Sequence, residues 1–342
     1  MKPNRWTNYQ FKNGKIAKNR VVVPPMASQT ANSLGFVTQK TIQHYEELSK
    51  SGAGIVFAEY TYIHQGGKGE PNQLAVDDDS KVGGLKEISR TIHKREALAG
   101  LQIVHAGAKT SSALTGLPLL SPSPIPVPVK DHGLETPKSM DANEIEEMIG
   151  WYIQAARRAE LAGFDIIELH AAHGYGLNQW LSPITNHRND KFGGDIAGRS
   201  CLLLQVVSQI KQLLPNLLVA VRMPAQDHFP QGLLPTDMRW VAKRLENVGV
   251  DLIDVSSGIG GWRRPRGING QGYLVSDADQ IKQAVALPVI GVGGIQEGSF
   301  IDKILLEQKI DFAAIGRAIL KAPILWKEKN LEGLAYTASA AL

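Results

Sequence analysis

The chain has 342 residues, 43% of them hydrophobic, with 34 glycines and a formal charge of +4. That length buries a large core, while the positive residues are scattered and form no basic stripe of the kind nucleic-acid binding needs. The single cysteine, Cys201, excludes an internal disulfide framework and a cysteine-based metal site, and no apolar run reaches the roughly 18 residues of a membrane span.

The opening MKPNRWTNYQ lacks the apolar core of a signal peptide, so a soluble, cytoplasmic protein is expected. Short Val- and Ile-rich runs then recur, too continuous for half-exposed strands. They fall at Arg20–Met26, Gly54–Tyr60, Ala99–Ala106, Phe164–Ala172, Leu217–Met223, Asp251–Gly258, Pro288–Gly294 and Phe312–Arg317. Strands buried on both faces read this way and belong to parallel sheets covered by helices.

Amphipathic segments separate them. Ile145, Met148, Ile149, Tyr152, Ala156 and Ala159 make one stripe at helical period; Asp141 with Glu144 has capping-box spacing, and Gly163 stands where the helix should stop. A second unit runs through Met238, Val241 and Leu245 to Gly249. The joints ELAGFDIIEL and ENVGVDLIDV are the same: helix end, Gly, apolar residue, Asp, strand. Stacked strand–helix units follow, and eight of them predict a (β/α)8 TIM barrel forming a single domain over 1–342. The Pro-rich stretch 110–138 suits neither helix nor central strand and is expected as a loop or short excursion over the barrel mouth. A doubly wound open sheet would want a Gly-rich fingerprint after the first strand, and VVVPPMASQT has none.

In such a barrel the active site lies at the carboxyl ends of the strands. Gln102 and His105 fall there on the third strand, Glu168, His170 and His173 on the fourth, Arg222 on the fifth, Ser256 and Ser257 on the sixth. His44, His64 and His93 read as surface or structural residues. His170 and His173 stand apart because they share a strand end and Tyr175 follows. The last two turns, GVGGI and AIGRAIL, let backbone N–H groups approach an anion, with Arg317 beside them. Gln102 and Arg222 can hold a flat polar heterocycle. A phosphate at one end and a polar ring at the other suggest flavin mononucleotide, although many phosphorylated substrates fit the same residues.

The stretch HAAHGYGLNQWLSPITNHRNDKFGG closely resembles the signature of the Old Yellow Enzyme family, FMN-dependent ene-reductases on a TIM barrel. NRVVVPPMAS, LQIVHAG, VRM, DVSSG and IGRAIL extend the resemblance over almost the whole chain. It implies that Pro25, Met26 and Ala27 pack beside the flavin ring, that Gln102 and Arg222 meet its pyrimidine edge, and that Gly293, Gly294, Gly316 and Arg317 hold the phosphate. It implies that His170 and His173 donate to the carbonyl oxygen of an α,β-unsaturated substrate, which takes hydride from flavin N5 and a proton from Tyr175. NADPH or NADH would reload the flavin. The implied partners are small electrophilic alkenes, with neither nucleic acid nor membrane, and a homo-oligomer is compatible with all of this.

The sequence also departs from the family pattern. HAGR reads HAGA, with Ala108 for Arg; Tyr60 replaces a small residue beside the flavin and so joins the expected substrate pocket. Ala27 stands for Cys or Thr, Gln29 for a Tyr of some relatives, and Gly176 interrupts GYL. The resemblance does not extend into the iron–sulfur and second flavin domains of the larger members, which with one cysteine are not expected here. Three other readings stay open: an FMN barrel reducing quinones or nitro compounds, a degenerate flavin-binding protein with little turnover, and a non-redox lyase or isomerase.

Overall fold

A computed structural model describes residues 3–128, 134–262, 264 and 267–332. Eight parallel strands close into a barrel: β1 (Val21–Val23), β2 (Ile55–Tyr62), β3 (Leu98–Val104), β4 (Ile166–His170), β5 (Leu218–Pro224), β6 (Leu252–Ser256), β7 (Val289–Gly291) and β8 (Phe312–Ala314). Helices α1 (Gln39–Ser49), α2 (Val82–His93), α3 (Ala142–Leu161), α4 (Ile196–Leu213), α5 (Pro235–Asn247), α6 (Val275–Lys282), α7 (Gly298–Leu306) and α8 (Arg317–Lys321) follow the strands in turn. This is the expected TIM barrel. The strands are mostly shorter than the apolar runs, so residues expected at strand ends, from Pro24 and from Ala171 onward, belong to loops.

The α3 capping box is present: Asp141 Oδ1 accepts the Glu144 N–H at 3.0 Å, and Glu144 Oε2 accepts the Asp141 N–H at 2.9 Å. Gly163 ends that helix at φ +79°, a conformation glycine adopts without strain. The Gly–apolar–Asp joint has a mechanical reason. At the start of β4 the Asp165 N–H donates to the Ala99 carbonyl at 2.8 Å, while its carboxylate accepts the Ala99 N–H at 2.8 Å and meets Lys15 and His93. Asp251 repeats the clamp with Val219 and Lys211, and Asp311 with Val289 and Lys282. Each clamp sets the register of one strand against its neighbour at the barrel floor.

Burial pushes the Asp165 carboxyl up, but the His93, Lys15 and Ala99 donors outweigh it and its pKa lies below the ordinary value. A depressed carboxylate stabilises the fold above its unfolded pKa, and that contribution is lost as pH falls through the folded value. Asp165→Ala is therefore expected to cost about 2–3 kcal/mol in urea unfolding at pH 7, the worth of charged hydrogen bonds at a buried site. The deficit should shrink on titration toward pH 3.

Inside the barrel the side chains change character with height. A hairpin (Tyr9–Gln10 with Ile16–Ala17) plugs the floor, Phe11 stacking on Phe312 at 6.1 Å. Above it lie Val22, Ile55, Phe57, Ile166, Leu218, Leu252 and Ile290. Alternate residues of a strand share a face, so Ile166, Glu168 and His170 climb the interior of β4, and Leu218, Ala220 and Arg222 that of β5. The upper interior is polar, and there the barrel opens.

The Pro-rich stretch forms its own small excursion. Ser112–Thr115 is a helical turn, and Leu120–Ser121 pairs with Lys138–Ser139; residues 129–133 lie outside the described residues. It packs beside the helix Gly176–Leu181, the Ser121 hydroxyl donating to Gln179 at 3.4 Å.

Candidate active site

Three side chains meet above β4. The rings of His170 and His173 lie 5.0 Å apart at 90°, and Tyr175 stands 4.9 Å from His170. The backbone is bent to arrange this. His173 adopts φ +59°, uncommon for a residue with a side chain. Its N–H donates to the Ser257 carbonyl at 3.1 Å and its Nε2 meets the Ser256 hydroxyl at 2.7 Å. Gly176 has a steric role here. Its N–H donates to the His105 carbonyl at 2.8 Å, and a Cβ on it would sit 2.6 Å from that oxygen.

Both imidazoles are buried, and their pKa values fall well below the ordinary histidine value. For His170 the causes are burial, then the charges of Arg222 and Lys109; for His173 they are burial, then His170, Arg222 and Lys109. At neutral pH they are neutral N–H donors, and Nδ1 of His170 has no partner among the described residues. Burial raises the Tyr175 phenol to about 12, so it keeps its proton.

Lys109 joins this group, and sequence reasoning passed over it. Its Nζ lies 4.5 Å from the centre of the Tyr175 ring and donates to the His173 carbonyl. Burial lowers it to about 8. The residue before it, Ala108, is 1% exposed and gives its N–H to Gln179 at 2.9 Å.

Below the imidazoles lies a second cluster spanning β3 to β6. The register sets Gln102 beside Glu168, His170 beside Arg222 and Arg222 beside Asp254. Gln102 Nε2 donates to Glu168 Oε1 at 2.7 Å, and Arg222 Nε lies 3.2 Å from Asp254 Oδ2. Burial and the charge of Asp254 push Glu168 well above the carboxylate range. Glu168 Oε2, Asp254 Oδ1 and Arg222 Nε all lack hydrogen-bond partners among the described residues. Unsatisfied buried groups of both signs suit a flat heterocycle with donors and acceptors along its edge.

Toward β1, Pro25 and Met26 are half-buried and Ala27 is exposed. The Ser28 hydroxyl and N–H donate to Glu59, whose carboxyl burial raises to about 7. Gln29, at φ +53°, reaches Glu70 at 2.9 Å. At the β7 and β8 ends, Gly293 and Gly294 have φ of +127° and +68°, and a Cβ on Gly293 would meet the Leu274 nitrogen at 2.7 Å. A Cβ on Gly316 would sit 3.3 Å from Met26 Sδ, which brings the two ends of the barrel seam together. Arg264, also passed over, has Nη2 3.6 Å from where a Gly294 Cβ would stand, adding a cation at that turn.

Not every expected residue joins the rim. His105 turns outward: it is fully buried beside Gly67, its Nδ1 accepts the Gly107 N–H at 3.0 Å, and burial lowers it to about 3. It belongs with His64, which stacks on Trp151 at 3.9 Å. His93 is structural, bound to Asp165 at 2.7 Å.

Residues 7–334 match the model of the NADH:flavin oxidoreductase / NADH oxidase family. The chain belongs to that family. It is 36% identical over 334 residues to an NADH oxidase of Thermoanaerobacter brockii, covering 94% of this chain and 50% of that protein, so it spans about half the length of that relative. It is 34% identical over 330 residues to an NADPH dehydrogenase of Geobacillus sp. strain WCH70, covering 96% of this chain and 94% of the other. The solved Old Yellow Enzyme homologue of Zymomonas mobilis superposes with a TM-score of 0.82 at 24% identity, over 99% of this chain and 94% of its own, and so shares the fold. The Old Yellow Enzyme resemblance thus stands. As a member, the chain is an oxidoreductase with FMN as cofactor and NADH or NADPH as reductant, which replaces the non-redox reading. Among the described residues no helix is long and apolar enough to cross a membrane.

Proposed function

We propose that the chain reduces the C=C bond of alkenes activated by a carbonyl or similar group. The observation that carries this is the cluster of two neutral imidazoles and a protonated phenol above the polar layer of the barrel. His170 and His173 donate to the oxygen that conjugates with the alkene and draw electron density toward it. Neutral imidazole suits this task, since it binds oxygen in either half of the cycle without adding charge to a buried site. Tyr175 then supplies a proton to the carbon beside the carbonyl.

FMN, when bound, supplies the hydride. Pro25, Met26 and Ala27 would flank its ring, Gln102 and Arg222 would meet its edge, and the turns at Gly293, Gly294, Gly316 and Arg317 would hold its phosphate. Arg222 carries positive charge to the place where negative charge collects on reduction. Tyr60, 6% exposed and 5.5 Å from Tyr175, narrows the substrate side. The same donors fit a quinone or nitro oxygen, so the substrate class is settled by a panel.

The first experiment is an anaerobic absorbance titration with NADPH, followed by reoxidation with an enal, a quinone and a nitroarene. Flavin bands that bleach and return fastest with the enal support the proposal. A flavin that reoxidises only with the quinone or nitroarene overturns it. A pH profile adds a sharper check. The Lys109 ammonium over the Tyr175 ring favours the phenolate, and it loses its proton as pH rises through about 8. Alkene reduction should therefore fall across that value and show no histidine limb between pH 6 and 7, while Lys109→Met flattens the fall. A fall that persists in the variant assigns it to another group.

A further inference from the structure

Tyr60 does not sit in regular strand pairing; the barrel distorts to place it. The pairing of β2 with β3 shifts register between Ala58 and Thr61, which places Glu59 and Tyr60 in a bulge at the rim. A bulge at a barrel rim re-aims a side chain that regular pairing would send elsewhere. Here it brings the Tyr60 ring to 5.5 Å from the Tyr175 ring, tilted by 48°.

The segment after β2 holds the two phenols together. Gln73 Oε1 accepts the Gly69 N–H at 2.7 Å and its Nε2 donates to the Tyr60 carbonyl at 2.8 Å. Gly69 consequently lies against both rings: a Cβ on it would stand 3.6 Å from Tyr60 Cε2 and 3.7 Å from Tyr175 Cε1. On the other side Lys109 covers the Tyr175 ring. Within this enclosure the Tyr60 hydroxyl is buried and makes no well-formed hydrogen bond among the described residues. A buried phenol hydroxyl usually finds a partner, and an orphan on a ring beside a reacting group is in place for a partner that appears during the reaction.

We infer that Tyr60 is a positioning residue for the acid: its hydroxyl donates a hydrogen bond to the Tyr175 oxygen when that oxygen gives up its proton. This rests on Tyr175 being the acid. The direction of donation follows from the two phenols' surroundings. Burial, then the neighbouring Tyr175 and Glu70, raise Tyr60 further than burial and Glu70 raise Tyr175. Tyr175 therefore ionises first, and Tyr60 keeps its proton and remains the donor. Tyr60 transfers nothing; the Tyr175 phenolate regains its proton from water.

A nitroalkene separates the steps. Hydride adds to the carbon β to the nitro group, and the C=C electron pair moves onto the nitro oxygens, giving a nitronate with its own absorbance. The proton from Tyr175 then goes to the α carbon and consumes the nitronate. In rapid mixing of FMN-loaded, NADPH-reduced enzyme, Tyr60→Phe should slow nitronate protonation ~10-fold more than nitronate formation, the order expected for a hydrogen bond to a charged oxygen. Phe keeps the packed ring, so a purely space-filling Tyr60 would show no change, and that result overturns the inference. Equal slowing of both steps also overturns it, since it reports a disturbed pocket. Tyr175→Phe run alongside keeps the two readings distinct. If it slows protonation and Tyr60→Phe does not, only the role of Tyr60 fails. If Tyr175→Phe leaves protonation unchanged, Tyr175 is not the acid and both fail.

Discussion

Tyr175→Phe should leave reduction of the bound flavin by NADPH intact and slow reoxidation by an enal about 10²–10⁴-fold, the usual worth of a general acid. The variant removes one oxygen and little else. The ring still packs 4.9 Å from His170 and 5.5 Å from Tyr60, and Lys109 still covers its face. Its main chain is fixed independently, the Tyr175 N–H donating to Ala172 at 3.1 Å and the next residue to His105. Burial holds the phenol at about 12, so near neutral pH the wild-type group is present almost wholly as the acid. Rapid mixing of each half-reaction reads the two rates separately. An unchanged alkene rate would mean that the proton comes from elsewhere. Equal losses in both halves would place Tyr175 in cofactor or nicotinamide binding.

The barrel was legible because its signals are local. The capping box at Asp141, the stop at Gly163 and the repeated Gly–apolar–Asp joint each depend on residues within a few positions of one another, and the structure uses each as its spacing suggests. The joint even carries its own explanation, a two-way bond between Asp and the neighbouring strand. The upper interior was legible only in part. Glu168, His170 and Arg222 interrupt apolar runs and so announce themselves, whereas Asp254 sits in IDVSS and resembles the floor aspartates until the register sets it beside Arg222.

Direction was harder to read than position. His105 follows β3 as His170 ends β4, yet one ring packs outward against Gly67 and the other faces the mouth. A short loop can rotate a side chain by half a turn without any mark in composition. Lys109 was overlooked because a lysine after a glycine turn usually lies in solvent; only the fold of HAAHGYG over it makes it a half-buried cation. The family resemblance puts Tyr60 near the pocket, but the bulge that places it arises from pairing between strands and has no sequence signature.

The cluster under the imidazoles gives the largest expected effect on stability, and it divides two carboxyls that look alike in sequence. Arg222 lies 3.2 Å from Asp254, both almost completely buried, and Glu168 is buried with them. Two carboxylates beside one guanidinium leave an excess negative charge that a low-dielectric interior does not tolerate, so the pair holds one proton. Burial raises both, and the direct contact with Arg222 keeps the charge on Asp254, leaving Glu168 as the neutral acid. Asp254→Asn then removes the carboxylate in direct contact with the buried guanidinium, breaking the pair, and should cost about 3–5 kcal/mol in urea unfolding at pH 7. Glu168→Gln replaces a neutral acid by a neutral amide of the same shape that can still accept from Gln102, so it should cost under about 1 kcal/mol. Flavin potential supplies a second reading: in Asp254→Asn the loss of the carboxylate held against Arg222 should raise it, while Glu168→Gln should leave it nearly unchanged. If Glu168→Gln proved as damaging as Asp254→Asn, the proton would reside on Asp254. Arg222 would then reach the flavin with its charge unopposed by its nearest neighbour.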